Sequence, residues 1–172
     1  MDYIKEVEKY LEIKENIKKL ESGPYNAVLT NETEIEYYED YGDCHLFHIN
    51  FVFDSEKEYK EDEIINNCFY INILYEKKIA EFQKFIEDIK LNNFATICSD
   101  VDEEPYYYDY PERIIAYPYC DKVRFIVINC ADCYSCEYEY IEQDLLFEKQ
   151  EIIKILEKFL KSMKEQCGTN NP

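Results

Sequence analysis

The segment His45-Leu46-Phe47-His48-Ile49-Asn50-Phe51-Val52-Phe53 decides much of the fold. Large apolar residues occupy every second position from Phe47 to Phe53, which is the alternation of a β-strand with one buried face. We therefore expect the face formed by Phe47, Ile49, Phe51 and Phe53 to lie in the core.

More strands are predicted on both sides of this segment, because similar patterns recur between turn residues and charged loops. A break is expected at Pro111, since proline has no N–H for a central ladder. The predicted strands are residues 25–30, 32–38, 45–53, 68–75, 94–98, 106–117, 122–130 and 137–142.

Three helices are predicted from apolar residues at helical spacing, over residues 3–21, 76–91 and 148–166. The first carries a broad stripe that drifts around its axis, and Gly23-Pro24 ends it. The last has the clearest stripe, formed by Ile152, Ile155, Leu156, Phe159, Leu160 and Met163.

The order of elements predicts an α+β fold in one compact domain, residues 1–172, with an antiparallel sheet and three helices on one of its faces. An internal echo also favours a degenerate duplication, because residues 74–77 (LYEK) resemble residues 146–149 (LFEK). The pseudo-repeats would be residues 1–75 and 76–146, closed by the helix at 148–166.

The charge of the chain excludes several partners. Its 38 acidic and 19 basic residues give a formal net charge of -19, which repels nucleic acid and anionic membranes. We therefore expect a basic protein as the partner. The sequence shows no signal peptide and no membrane-spanning run, so we expect a cytoplasmic protein whose eight cysteines are thiols.

The acidic residues are concentrated in three windows without lysine or arginine, residues 20–56, 91–112 and 125–148. Each window also contains tyrosines, and tyrosine suits a contact surface because it buries a large area with few rotors. Aligned carboxylates would steer such a surface onto a basic cleft. In a plainer interpretation, these charges only solvate the domain. The predicted partner-binding residues are Glu34, Glu36, Tyr38, Glu39, Asp40, Tyr41, Asp43, Asp102, Glu103, Glu104, Tyr107, Asp109, Glu137 and Glu139.

Cysteines supply the pattern that most resembles a metal site. Cys130, Cys133 and Cys136 have the two-residue spacing with which thiolates from a loop can bind zinc. The glycines usual around such loops are missing, no second pair has this spacing, and we expect no cofactor. His45 and His48 alternate on one predicted strand, so Cys44 and the two histidines do not share a face.

No catalytic signature is present, so the sequence predicts a binding protein rather than an enzyme. Its charge and size are those of phage anti-restriction and anti-CRISPR inhibitors, whose carboxylates stand in for phosphates. We therefore expect an inhibitor of the basic nucleic-acid-binding or catalytic cleft of a nuclease or defence effector. The alternatives are an immunity protein that neutralises a basic toxin domain, and a metal or redox protein with cysteine ligands.

Overall fold

The computed structural model describes the backbone of residues 2–11, 14–41, 44–56, 68–74, 78–98, 111–133 and 136–169. It describes side chains at residues 2–11, 17–34, 49–56, 68, 78–98, 113–129 and 140–165. The helices in these residues are α1 (Tyr3–Glu8), α2 (Lys14–Glu21), α3 (Ile79–Lys90) and α4 (Lys149–Thr169). The strands are β1 (Tyr25–Leu29), β2 (Glu34–Tyr41), β3 (Cys44–Ser55), β4 (Cys68–Leu74), β5 (Ala95–Cys98), β6 (Pro111–Tyr119), β7 (Lys122–Cys133) and β8 (Cys136–Phe147).

The predicted first helix is divided into α1 and α2. After α1 the backbone turns, because the N–H of Tyr10 donates to the carbonyl of Val7 at 2.9 Å and that of Leu11 to Glu8 at 3.2 Å. The turn allows Val7, Leu11 and Leu20 to enter one apolar cluster. A single straight helix would have carried its drifting stripe out of that cluster, so the prediction of one helix was wrong.

Strand β1 joins the two halves of a mixed eight-stranded sheet, whose order is β2-β3-β1-β8-β7-β6-β5 with β4 on β3. It runs parallel to β8, with Tyr25 opposite Leu145, and antiparallel to β3, with Leu29 opposite Phe53. The other strand pairs are antiparallel. The expectation of a purely antiparallel sheet was therefore wrong at this one pair.

Strands β1 and β2 form one interrupted strand beside β3. Leu29 pairs with Phe53 and Glu34 with Asn50. The first strand advances five residues between these pairs and β3 only three, so two extra residues are accommodated between β1 and β2. The hydroxyl of Thr33 bridges this gap, because it donates to the carbonyl of Val52 at 3.1 Å and accepts from the N–H of Val52 at 3.2 Å. A side chain thus replaces the missing ladder partner.

The larger core lies between one face of the sheet and the helices α3 and α4. Ile49, Phe51 and Phe53 of β3 enter it, as the alternation predicted. The ring of Phe51 lies 6.4 Å from that of Phe125 on β7, although three strand pairings separate β3 from β7. The sheet must therefore curve around this core.

A second core lies on the opposite face of the sheet. Val7, Leu11 and Leu20 from α1 and α2 pack there with Ile126 and Ile128 of β7, among others. Helices therefore cover both faces of this half of the sheet, and the expectation that they share one face was wrong. The physical reason is in β7, where Val123, Phe125 and Val127 point to one core while Ile126 and Ile128 point to the other.

The structure confirms the α+β class and places strands and helices close to their predicted positions. In the first half, α1 and α2 precede the four strands β1 to β4; in the second half, α3 precedes the four strands β5 to β8, and α4 follows them. The pairing of the first strands differs, because β1 continues into β2 whereas β5 folds back against β6. The duplication therefore stays a prediction.

Replacing Thr33 by valine tests the bridge between β1 and β2. The variant keeps the shape but leaves the N–H of Val52 without its acceptor, which should lower the free energy of unfolding by about 1–3 kcal/mol. Thr30→Val is the matched control, because the Thr30 hydroxyl accepts from the exposed Glu32 N–H, which water can serve instead. Urea unfolding measures both, and equal losses in the two variants would contradict the bridging role.

Candidate partner-binding surface

The first acidic window forms part of a polar sheet face. In the register of β2 with β3, Glu34 lies opposite Asn50 and Glu36 opposite His48. Ile49, between those two β3 residues, is fully buried in the larger core. Because neighbouring residues of a strand lie on opposite faces, Glu34 and Glu36 belong to the face away from that core.

Strand β4 extends the same face. Tyr70 lies opposite Asn50 and Asn72 opposite His48. We call the surface formed by these positions the outer face; its residues are Glu34, Glu36, His48, Asn50, Tyr70 and Asn72. Asn50 also has a buried side-chain oxygen that accepts no hydrogen bond among the described residues. All six positions of the outer face are occupied by polar or charged residues.

Exposure continues along this face towards β1. Val28 lies opposite Asp54, and both are on the same side of the sheet as Asn50. Val28 is 56% exposed, and Glu34 and Asp54 are also exposed. No described helix is seated over these positions, in contrast to the two covered faces of β7.

The other predicted contact residues are distributed differently. Tyr38, Glu39, Asp40 and Tyr41 continue along β2, where the register with β3 shifts after Tyr38. Asp43 lies outside the described residues. So does the whole central group, Asp102, Glu103, Glu104, Tyr107 and Asp109.

Glu137 and Glu139 lie on β8, remote from β2 along the strand direction. β1 begins beside Leu145, near the end of β8, and runs parallel to it. The chain then continues into β2, whereas Glu137 and Glu139 precede Leu145 by several residues. The two acidic stretches therefore leave the β1–β8 junction in opposite directions. Their positions on β8 also share a face with Ile141, which packs in the smaller core under α1 and α2.

Long-range partners compensate several acids of the third window. Asp144 pairs with Arg124, with 2.6 Å between Oδ2 and Nη2. Glu148 lies 3.1 Å from Lys122 Nζ, and Glu142 accepts a 2.6 Å hydrogen bond from Asn129. The lack of lysine and arginine in this window therefore does not leave Asp144 and Glu148 without a counter-charge. Pairing across β7 and β8 supplies partners that the local sequence does not.

The helical side of the molecule is balanced in the same way. A groove of about 440 Å³ lies between α3 and α4. Lys90 reaches Glu157 across it at 2.5 Å, and Lys164 donates to Gln83 at 2.7 Å. Cations and anions therefore alternate over this surface. Outside the helices, the excess negative charge lies in the strand regions of both halves, and the window 20–56 has no lysine or arginine.

The Arg124–Asp144 pair was not anticipated from the sequence. Arg124 donates through Nε and Nη2 to the two Asp144 oxygens at 2.8 and 2.6 Å, and through Nη2 to the carbonyl of Leu20 at 2.9 Å. Its side chain is 2% exposed and that of Asp144 10%. The sequence feature that could have revealed this pair is the lone arginine in the apolar run 123–128, because a buried charge needs a partner.

Burial and pairing act against each other at this site. Burial raises the pKa of Asp144 above its usual value, and the hydrogen bonds and charge of Arg124 oppose that rise. For Arg124, burial alone would lower the pKa, but the contacts with Asp144 more than offset it and the pKa is raised. The pair therefore fixes the end of α2 to the sheet, and the charge of Asp144 is already neutralised inside the molecule.

Both arginines of the chain lie against tyrosine rings beneath α1 and α2. Arg113 is 4.4 Å from the centre of the Tyr10 ring, and Arg124 is 5.8 Å from that of Tyr117. Tyr117 also stacks on Tyr3 at 5.0 Å. Cation–π contacts of this kind hold the N-terminal helices on the sheet. The arginines therefore serve the core of the molecule.

The cysteine pattern lies in regular strands. Cys130 and Cys133 are both in β7, three residues apart, so the backbone places them on opposite faces of the sheet. Cys136 begins β8 opposite Cys133. The predicted route to a metal, convergence of thiolates from a loop, is thus not available to Cys130 and Cys133 together. Among the described side chains, no group of three metal-binding residues is close enough to share an ion.

The comparisons with known proteins add no functional information. The chain matches no protein-family model, and no curated protein and no solved structure shows significant similarity to it. Over the described residues, the helices are too short or too polar to cross a membrane. The candidate surface therefore stands on the geometry of the sheet and the placement of charge.

Neutralising Asp144 tests the buried pair. Asp144→Asn leaves the Arg124 charge buried without its counter-ion, which should cost about 3–5 kcal/mol of unfolding free energy. The control, Asp121→Asn, removes an exposed charge in the turn between β6 and β7 and should change stability by less than about 0.5 kcal/mol. The double variant R124M/D144L should lose less than D144N. Denaturant unfolding gives all three values, and a D144N loss as small as that of the control would refute the assignment.

We expect the protein to lose stability at high pH because Tyr117 is buried. Its ring is 3% exposed, its hydroxyl has no partner in the described residues, and burial raises its pKa from 10.0 to about 12. At pH values between 10.0 and about 12, Tyr117 has released its hydroxyl proton in the unfolded chain but retains it in the folded chain. The free energy of unfolding therefore falls as the pH rises through this range. The full difference corresponds to roughly 2–3 kcal/mol.

Tyr117→Phe removes this titration and leaves the other tyrosines as an internal control. The stability of the native protein relative to Y117F should be constant below about pH 9 and should decline up to about pH 12. Urea unfolding across this range measures the difference. A difference that stays constant with pH would show that Tyr117 titrates alike in the folded and unfolded chains.

Proposed function

We propose that this protein is an acidic inhibitor that binds the basic nucleic-acid-binding or catalytic cleft of a nuclease or another defence effector. In this function the carboxylates of the outer face and of β2 occupy positions that phosphates of nucleic acid would otherwise take. The observation that carries the proposal is the placement of Glu34 and Glu36 on the face away from the core, in a window without lysine or arginine.

Three acidic residues at the end of β8 and just after it have cationic or amide partners, namely Asp144, Glu148 and Glu142. Those of β2 belong to a window with no lysine or arginine, and Glu34 and Glu36 share the face away from the core. Uncompensated like charges lower the stability of a fold, which solubility alone does not require. A basic partner would recover this energy on binding.

The spacing along β2 also suits a cleft that holds nucleic acid. Carboxylates at alternate positions of a strand are about 6.5–7 Å apart and form a regular row of negative charge, as the phosphates of a nucleic-acid strand also do. Basic side chains arranged for such phosphates can therefore meet Glu34 and Glu36 in turn. Steering by the net charge of -19 would raise the association rate, and salt would weaken it.

A matched pair of charge-reversal variants tests the proposal. The tagged protein is used to capture its partner from host cells, and the purified partner is titrated with fluorescent nucleic acid and with inhibitor. E34K/E36K should weaken binding by roughly 10- to 100-fold, and D121K/E151K, which changes net charge equally at two exposed positions, much less.

The inhibitor should also displace the nucleic acid in competition, with affinity falling as salt rises. A captured partner that binds the inhibitor and the nucleic acid simultaneously would refute cleft occupation. Equal losses in the two charge-reversal variants would show that net charge alone, and not the outer face, determines binding.

A further inference from the structure

The edge of β2 that faces away from β3 carries backbone N–H and C=O groups, in addition to the acidic residues of the strand. Among the described strands, β2 pairs with β3 alone. A strand with one unpaired side presents a row of N–H and C=O groups to which another chain can add. The direction of these groups at each β2 residue follows from the hydrogen bonds around β1.

The hydrogen bonds show which β3 residues face β1 and β2. The N–H of Glu56 donates to Asn26 at 3.1 Å, and the carbonyl of Val52 accepts from Thr30 at 2.8 Å. Even-numbered residues at this end of β3 therefore turn their backbone groups towards β1 and β2. Because the groups of successive residues alternate in direction, Asn50 and His48 do the same.

The partners of Asn50 and His48 in β2 are Glu34 and Glu36, whose backbone groups are therefore committed to β3. Ile35 and Tyr37 lie between and beyond them, opposite Ile49 and Phe47. The backbone N–H and C=O groups of Ile35 and Tyr37 consequently point away from β3, towards the outer edge of β2.

A second copy of this chain does not suit this edge. Pairing two β2 strands would bring Glu34, Glu36, Glu39 and Asp40 close to their own copies, and like charges on neighbouring strands destabilise a sheet. Each chain also carries a formal charge of -19. Charge complementarity therefore selects a strand from a basic protein.

We propose that the outer edge of β2 takes up an extended, basic segment of the target as an added strand. The inference rests on the proposed function. The segment would carry lysine or arginine at alternate positions, next to Glu34 and Glu36 on the outer face. Its intervening residues would be apolar, because they adjoin Ile35 and Tyr37 on the face that contains the buried Ile49.

This arrangement assigns affinity and specificity to different atoms. The main-chain groups of Ile35 and Tyr37 would hydrogen-bond to any extended chain. The carboxylates of Glu34 and Glu36 on the outer face would then favour a chain with lysine or arginine at every second position. The target segment is thus identified by an alternating basic and apolar pattern in a strand at the border of its cleft.

Amide hydrogen exchange on the isotope-labelled protein tests the proposal, with a short capped peptide of alternating lysine and valine as the probe. At saturating peptide and low salt, exchange of the Ile35 and Tyr37 amides should slow by about tenfold or more, as expected for one net hydrogen bond. The Glu34 and Glu36 amides, already bonded to β3, should change much less.

The control peptide has the same charge, with its valines replaced by proline, and cannot donate from those positions. It should bind more weakly and leave exchange at Ile35 and Tyr37 unchanged. Three results would overturn the inference: no binding of the lysine–valine peptide, equal binding of both peptides, or binding without slower exchange at Ile35 and Tyr37.

These outcomes separate the inference from the proposed function. Slower exchange at the edge supports strand addition whatever the captured partner proves to be. Perturbation of Glu34 and Glu36 without edge protection would leave the acidic inhibitor intact and refute the added strand. Failure of the protein to compete with nucleic acid for the captured partner would refute the proposed inhibitor function itself.

Discussion

The pairing of β1 on both of its sides is the constraint on which the rest of the structure depends. Tyr25 and Asn26 lie beside Leu145 and Leu146 of β8, and the residues from 27 to 29 lie beside β3. This short strand therefore connects two sheet halves that share one core. Its parallel direction to β8 also sends β2 away from the junction in the direction opposite to Glu137 and Glu139. The position of the acidic strand at a border of the sheet follows from this one pairing.

The acidic residues of the chain lie in different surroundings. In the second half, Arg124 and Asp144 neutralise each other inside the molecule and hold α2 through the Leu20 carbonyl. Removing either charge alone would leave the other buried, which is why such a pair is a structural feature. In the first half, Glu34 and Glu36 lie on an outer face within a window that has no base. Folding therefore neutralises Asp144 inside the molecule, whereas Glu34 and Glu36 lie on the face away from the core.

Much of the fold could be predicted because its signals are local. The alternation of Phe47 to Phe53, the stripe of α4 and the Gly23-Pro24 stop each specify an element without knowledge of its neighbours. What could not be predicted depends on contacts distant in sequence. The parallel match of Tyr25 with Leu145 leaves no local trace, and the division of the first helix depends on where Leu11 finds its core. The doubly covered face of β7 did have a signal, since the run 123–128 is apolar at odd and even positions alike except at Arg124. The sides of β2 were predictable from alternation, but the polar neighbours Tyr70 and Asn72 required the register.

The central claim is that the outer face and β2 form the surface that meets the target. Hydrogen-exchange mass spectrometry of the protein, alone and in complex with its captured partner, tests it most directly. The account predicts that the largest protection on binding falls on peptides covering residues 34–41 and 44–52, and that the peptides of α3 and α4 keep their exchange rates. Protection confined to the α3–α4 groove or to the β7–β8 hairpin, with β2 unchanged, would contradict it.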